Sequence, residues 1–105
     1  MEHLFKELTF SNGAKARNKF LLAPLTNMQS PDIGKLSNDE FNWLTKRAEG
    51  GFGIIMTCAM PVLKSGIGWK GQLGIYDPIH EEGHKRLNAE LHKLEALSIA
   101  QIFHA

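Results

Sequence analysis

A single cysteine, Cys58, stands among the 105 residues, which excludes an internal disulfide and makes a reducing, cytoplasmic setting the expectation. No apolar stretch approaches the roughly 20 residues that a membrane-crossing helix needs. Met1 to Phe10 mixes charged with apolar residues, so it does not have the apolar run of a signal peptide. Charge of one sign is also lacking. Twelve Lys and Arg against 11 Asp and Glu leave a formal net charge of +1, which offers no basic field to nucleic acid and no acidic tail. No internal repeat or low-complexity segment appears. What remains is one small soluble domain with neither a membrane nor a nucleic-acid partner, and an apolar share of 43% is enough to give it a packed core.

Three short apolar runs carry most of the information. Phe20-Leu21-Leu22-Ala23 stops at Pro24 and hands over to Leu25-Thr26, while Gly53 to Ala59 and Ser98 to His104 end in the same manner. Runs of this length, apolar on both faces, read as buried parallel strands, and strand ends that break into polar loops are where such sheets meet ligands. Three strand ends are therefore expected to converge on one site.

Around them, Asn12-Gly13 reads as a type I′ hairpin turn joining Leu8-Thr9-Phe10 to Ala16-Arg17-Asn18. Ser37-Asn38-Asp39-Glu40 fits a capping box in which Ser37 and Glu40 satisfy each other's free amide donors. The helix that follows presents Phe41, Leu44 and Ala48 and ends at Gly50-Gly51. A long loop punctuated by Gly66, Gly68, Gly71 and Gly74 comes next, and its length points to function. Asp77-Pro78 reads as N-cap and first helical residue, with Leu87, Leu91 and Leu94 as the apolar stripe of a helix ending near Ala96. The expected organisation is a hairpin over 8–18, then a strand-helix-strand-helix-strand run over 19–105, its strands parallel and both helices on one side. The chain reaches Phe103-His104-Ala105 directly after an apolar strand. That leaves a sheet edge, and Leu22, Ile55, Ile99 and Ile102 are expected to need covering by an oligomer or a completing polypeptide.

Four segments, in order, carry a resemblance: Asn18-Lys19 leading into Leu22-Ala23-Pro24-Leu25-Thr26; Arg47-Ala48-Glu49-Gly50-Gly51-Phe52-Gly53-Ile54-Ile55; Gly71-Gln72-Leu73-Gly74-Ile75-Tyr76; and Ala100-Gln101-Ile102-Phe103-His104-Ala105. With them the chain resembles the Old Yellow Enzyme family of FMN-dependent NAD(P)H oxidoreductases. The resemblance implies an α/β fold, the N-terminal part of a (β/α)8 TIM barrel with about three of its eight strands. It implies FMN as cofactor, NADH or NADPH as reductant and a small-molecule substrate. It also implies that Pro24, Leu25 and Thr26 lie against the flavin ring, with the Thr26 hydroxyl as the catalytic donor that tunes its potential. Ala59 would be a small residue whose backbone lies near the same edge of the ring, and the Gln101 carboxamide would pair with the pyrimidine side of the flavin. Two positions depart from the family: Lys19 stands where arginine is usual, and Met28 where some members carry tyrosine.

Three residue-level alternatives stand beside this. Cys58 reads as packing rather than as a redox thiol. His80-Glu81-Glu82-Gly83-His84 spells H-E-x-x-H, the pattern of a zinc peptidase. Its place in a helix's first turn, with Gly83 inside it, makes surface histidines the preferred reading. An open three-stranded sheet could also serve a non-catalytic interaction module.

Overall fold

A computed structural model describes all of residues 1–105. The N-terminal hairpin pairs β1 (Leu8–Thr9) antiparallel with β2 (Lys15–Ala16). Its turn is not the expected type I′, which needs two consecutive residues of positive φ. Among residues 10–14 only Gly13 has one, at 88°. The Phe10 carbonyl instead accepts from Gly13 N–H at 2.9 Å, and Phe10 N–H donates to the Ala14 carbonyl at 2.8 Å. A turn followed by a left-handed glycine is the other common hairpin closure, and Asn12 supports it by accepting from Ala14 N–H through its side chain.

Three parallel strands follow, β3 (Leu21–Leu22), β4 (Ile54–Pro61) and β5 (Leu97–Phe103), in the spatial order β3-β4-β5. Between them run α1 (Asn38–Glu49) and α2 (Glu81–Lys93). Leu44 and Ala48 of α1 and Leu87 and Leu91 of α2 meet Ile55 of β4 and Ala96 in one core, so both helices lie on the same face of the sheet. This corrects the expected set of uncovered residues. Ile55 is fully buried under the helices and Leu22 packs against the same core, whereas Ile102 is 68% exposed. The pairing shows why: Leu22, Ile55 and Ser98 are register partners and share the helix-covered face, while Leu21, Ile54 and Leu97 share the other.

Helix ends follow local chemistry. Ser37 caps α1 as expected, its hydroxyl accepting from Glu40 N–H at 3.0 Å. The reciprocal half of the capping box is absent. Ser37 N–H donates to Ser30 Oγ instead, and the Glu40 side chain turns inward, fully buried. Asp77 accepts from Ile79 N–H and caps a short 3-10 turn over Pro78–His80 that leads straight into α2. That helix ends earlier than Ala96, because Glu95 takes a positive φ of 63° and breaks it after Leu94.

Arg17, just after the hairpin, fastens both helices. Its guanidinium donates to the Ala48 and Phe52 carbonyls and to the Leu94 carbonyl, at 2.6, 3.0 and 2.9 Å. A cation is thus held at the C-terminal ends of α1 and α2, where the helix dipoles favour it.

Candidate functional site

β4 and β5 end together, Pro61 opposite Phe103, while β3 is paired only as far as Leu22, opposite Ile55. Pro24, Leu25 and Thr26 lie two to four residues beyond β3, Ala59 is two residues before the end of β4, and Gln101 sits two residues before the end of β5. Ala59 and Gln101 are register partners. They become so through a bulge: between the pairs Met56–Ile99 and Ala59–Gln101, Thr57 and Cys58 of β4 oppose Ala100 alone. The extra residue lets Cys58 point to the helix side while Ala59 stays beside Gln101 on the open face. Thr57 closes the irregularity, its hydroxyl accepting from Gln101 N–H at 3.1 Å and donating to the Cys58 carbonyl at 3.0 Å.

Two polar side chains on this shelf have no partner within the chain. Thr26 is exposed and its hydroxyl makes no hydrogen bond, and the half-buried Gln101 carboxamide makes none either. A backbone partner for that amide, the plainest reading of a polar residue in an apolar strand, is not realised. Leu25 adds an apolar surface that is 55% exposed. The clefts of the chain lie elsewhere, the largest, of about 400 Å³, among Lys35, Ile79, Glu82 and Arg86. The strand ends form an open shelf, not an enclosed pocket.

Beneath the shelf lies a buried polar layer. Gln72, 4% exposed, donates from Nε2 to the Ala59 carbonyl at 2.7 Å and accepts from Gly68 N–H at 2.9 Å, so the long glycine loop is stitched to β4. Gly71 makes that approach possible. Its φ is 86°, and a Cβ there would lie 2.7 Å from the Met28 carbonyl oxygen. Trp69 Nε1–H donates to the Asn27 carbonyl at 2.7 Å. Glu40 accepts from Ser30 Oγ at 2.9 Å, and from Asn27 Nδ2 and Cys58 Sγ at 3.4 Å each. Burial, and then the neighbouring Glu40 carboxylate, push the Cys58 thiol up to about 12, so it stays protonated and is not a redox thiolate at neutral pH. Cys58 is a packed residue that also donates a hydrogen bond. The roles of Glu40, Gln72 and Trp69 escaped the sequence reading. Glu40 occupied a position that a capping box explained, and Gln72 and Trp69 act across 13 and 42 residues of separation.

Residues 3–105 match the model of the NADH:flavin oxidoreductase / NADH oxidase family. The chain belongs to that family. Among curated relatives, the Bacillus subtilis protein YqiG, named a probable NADH-dependent flavin oxidoreductase, is 29% identical over 96% of the chain and 27% of its own length. Among solved structures, a 2-naphthoyl-CoA reductase superposes with a TM-score of 0.90 at 30% identity, over 98% of this chain and 16% of that one. The old yellow enzyme homologue of Zymomonas mobilis gives 0.86 at 25%, over 96% and 28%. The chain thus spans little more than a quarter, or less, of these proteins. Its open parallel sheet, flanked by helices on one face, is the N-terminal part of a (β/α)8 barrel. Members of the NADH:flavin oxidoreductase family are enzymes that use FMN with NADH or NADPH as reductant, and no helix here is long and apolar enough to cross a membrane.

The H-E-x-x-H segment has a structural role in this family member, and His80 is not a surface residue. It is 2% exposed. Its Nδ1 accepts from Asp77 N–H at 3.3 Å, so Nε2 carries the proton and donates to the Ile33 carbonyl at 2.8 Å. Both nitrogens are occupied, and no lone pair is left for a metal. His84 Nε2 pairs with the Gly74 carbonyl at 2.8 Å, and no group of three potential ligands assembles anywhere in the chain. The expected result of elemental analysis is zinc far below one equivalent, with His84→Ala leaving it unchanged. Stoichiometric zinc lost on that substitution would reinstate the peptidase reading.

Proposed function

We propose that this chain supplies the N-terminal part of the flavin site of an Old Yellow Enzyme-type oxidoreductase. In that reading, Pro24, Leu25, Thr26, Ala59 and Gln101 face FMN. The observation that carries it is the pair of unpartnered polar groups, Thr26 in the loop after β3 and Gln101 near the end of β5, the second of them the register partner of the small residue Ala59. They fit the ligand. A flat heteroaromatic ring needs an apolar platform, which Pro24 and Leu25 offer, a close approach, which a methyl side chain at Ala59 permits, and edge hydrogen bonds from groups with no competing partner.

FMN held by these residues would supply two-electron chemistry between a nicotinamide reductant and an activated alkene or related acceptor. The chain's residues hold and bias it. Thr26 donates a hydrogen bond where negative charge grows, and Gln101, with both donor and acceptor on one amide, fixes orientation. Gln72 ties the Ala59 carbonyl to the long glycine loop and so helps to position the backbone there. The unpaired outer edge of β5 and the exposed Ile102 support completion of the site by further polypeptide or by an oligomer.

The test is the visible spectrum of the intact protein as isolated, followed by FMN titration of the flavin-free form. Gln101→Leu is expected to weaken FMN binding about tenfold, the worth of one amide's pairing with a ligand. Equal affinity for the variant and the parent would remove Gln101 from the site.

A further inference from the structure

We infer that Glu40 is a positioning residue, whose buried carboxylate ties the loop carrying Leu25 and Thr26 to β4 beside Ala59. The tether stands on geometry alone, and its consequence for flavin rests on the function proposed above.

Glu40 is the third residue of α1, beneath the shelf and fully buried. A carboxylate taken out of water needs either a cation or several donors. No cation is within reach, since the only ion pairs of the chain are Lys15–Glu7 and Lys85–Glu81. Instead three side-chain donors surround it from two directions. Asn27 and Ser30 come from the loop after β3, and Cys58 comes from β4, one residue before Ala59. The N-terminal end of α1 adds its own positive potential.

The bonds place one acceptor between the two segments that must keep register for a ligand to lie across both. Asn27 makes the coupling tight. Its amide nitrogen also donates to the Leu25 carbonyl at 3.2 Å, its Oδ1 accepts from Gln29 N–H at 3.1 Å, and its own carbonyl receives Trp69 Nε1–H. Once Asn27 is held by Glu40, Leu25 and Thr26 on one side and Trp69 on the other are held with it. A capping residue would face solvent at the helix end. Glu40 faces inward, with the capping partner of Ser37 N–H supplied by Ser30.

Trp69 supplies the readout, because its indole N–H ends on the loop in question. Trp43, the other tryptophan, is on α1 one turn beyond Glu40, under the Arg47 guanidinium at 4.2 Å, and it reports on the helix. In the intact protein, Glu40→Leu removes the acceptor and is expected to speed hydrogen exchange of the Trp69 indole about ten- to a hundredfold while the Trp43 resonance stays in place. Glu40→Gln keeps one acceptor oxygen and should restore most of the protection. Asn27→Ala approaches the tether from the loop without touching the core, so it decides the matter if Glu40→Leu does not fold. It should speed exchange about tenfold. Unchanged Trp69 exchange in the variants that fold would overturn the inference. So would a displacement of both tryptophan resonances, since Glu40 would then serve the fold at large. The visible spectrum of the FMN-loaded variants separates the two claims. If Trp69 responds and the flavin bands do not move, the tether holds and the flavin assignment of the Thr26 loop is what fails.

Discussion

Arg17→Ala is expected to lower the unfolding free energy by about 3 kcal/mol, the largest loss from any single side chain outside the apolar core. Three carbonyls receive this guanidinium, Ala48 near the end of α1, Phe52 just before β4, and Leu94 at the end of α2. A hydrogen bond to a charged group is worth about 1.5 to 3 kcal/mol. The three bonds share one side chain and a half-buried setting, so they do not add in full. Removing the side chain also leaves the Leu94 and Phe52 carbonyls to find water in a partly buried place and withdraws a cation from two helix C-termini. Arg17→Lys should recover only part of the loss, because an ammonium is a point donor and cannot span three acceptors as a planar fork does. Chemical denaturation followed by far-UV circular dichroism measures both. A loss below about 1 kcal/mol for Arg17→Ala would mean that the helix ends are held by packing alone.

What could be read in advance depended on how local the cause was. The α1 helix was legible at both ends because Ser37 and the Gly50-Gly51 pair act within four residues of the ends they set, and Gly51 does carry the positive φ, 119°. Parallel strands were legible as apolar runs. The hairpin turn was misassigned because Asn-Gly serves more than one closure, and loop length, which is not encoded in the dipeptide, selects among them. The face assignments of Leu22 and Ile55 failed for a related reason. A strand apolar on both sides has no alternation from which to read a face, and the bulge at Thr57 and Cys58 shifts the register of β4 partway along.

The site followed the same division. Pro24, Leu25, Thr26 and Gln101 could be proposed because each belongs to a matched segment near a strand end, and Ala59 because it closes the second apolar run. Their supports were not. Glu40, Gln72 and Trp69 reach the shelf from a helix and a long loop, and a buried carboxylate at a helix's first turn looks in sequence like an ordinary acidic N-terminal residue. His80 is the converse case. A five-residue pattern suggested metal chemistry, while the side chain's work is to accept from Asp77 and hold the Ile33 carbonyl beside Gly34, where φ is 74°.

Thr26→Ala in the intact flavin-loaded protein is expected to slow the half-reactions by on the order of 10² to 10³, or about 2.7 to 4 kcal/mol, and to lower the flavin midpoint potential without a loss of stability. The hydroxyl is exposed and unpartnered within the chain, so its removal breaks no internal bond and should leave thermal unfolding unchanged. Its effect should appear only where charge develops. A donor aimed at the ring stabilises the reduced, more negative form over the oxidised one, so deleting it makes reduction harder, which is the sign of the predicted potential shift. Thr26→Ser retains the hydroxyl and should keep most of both rate and potential, separating the hydrogen bond from the bulk of the side chain. Glu40→Leu should move the potential in the same direction as Thr26→Ala, by less, because it loosens the loop without deleting the donor. Spectroelectrochemical titration and stopped-flow reduction by NADH or NADPH read these effects. A Thr26→Ala protein with parental potential and parental half-reaction rates would leave Thr26 as an ordinary loop residue and the tuning of the flavin to another group.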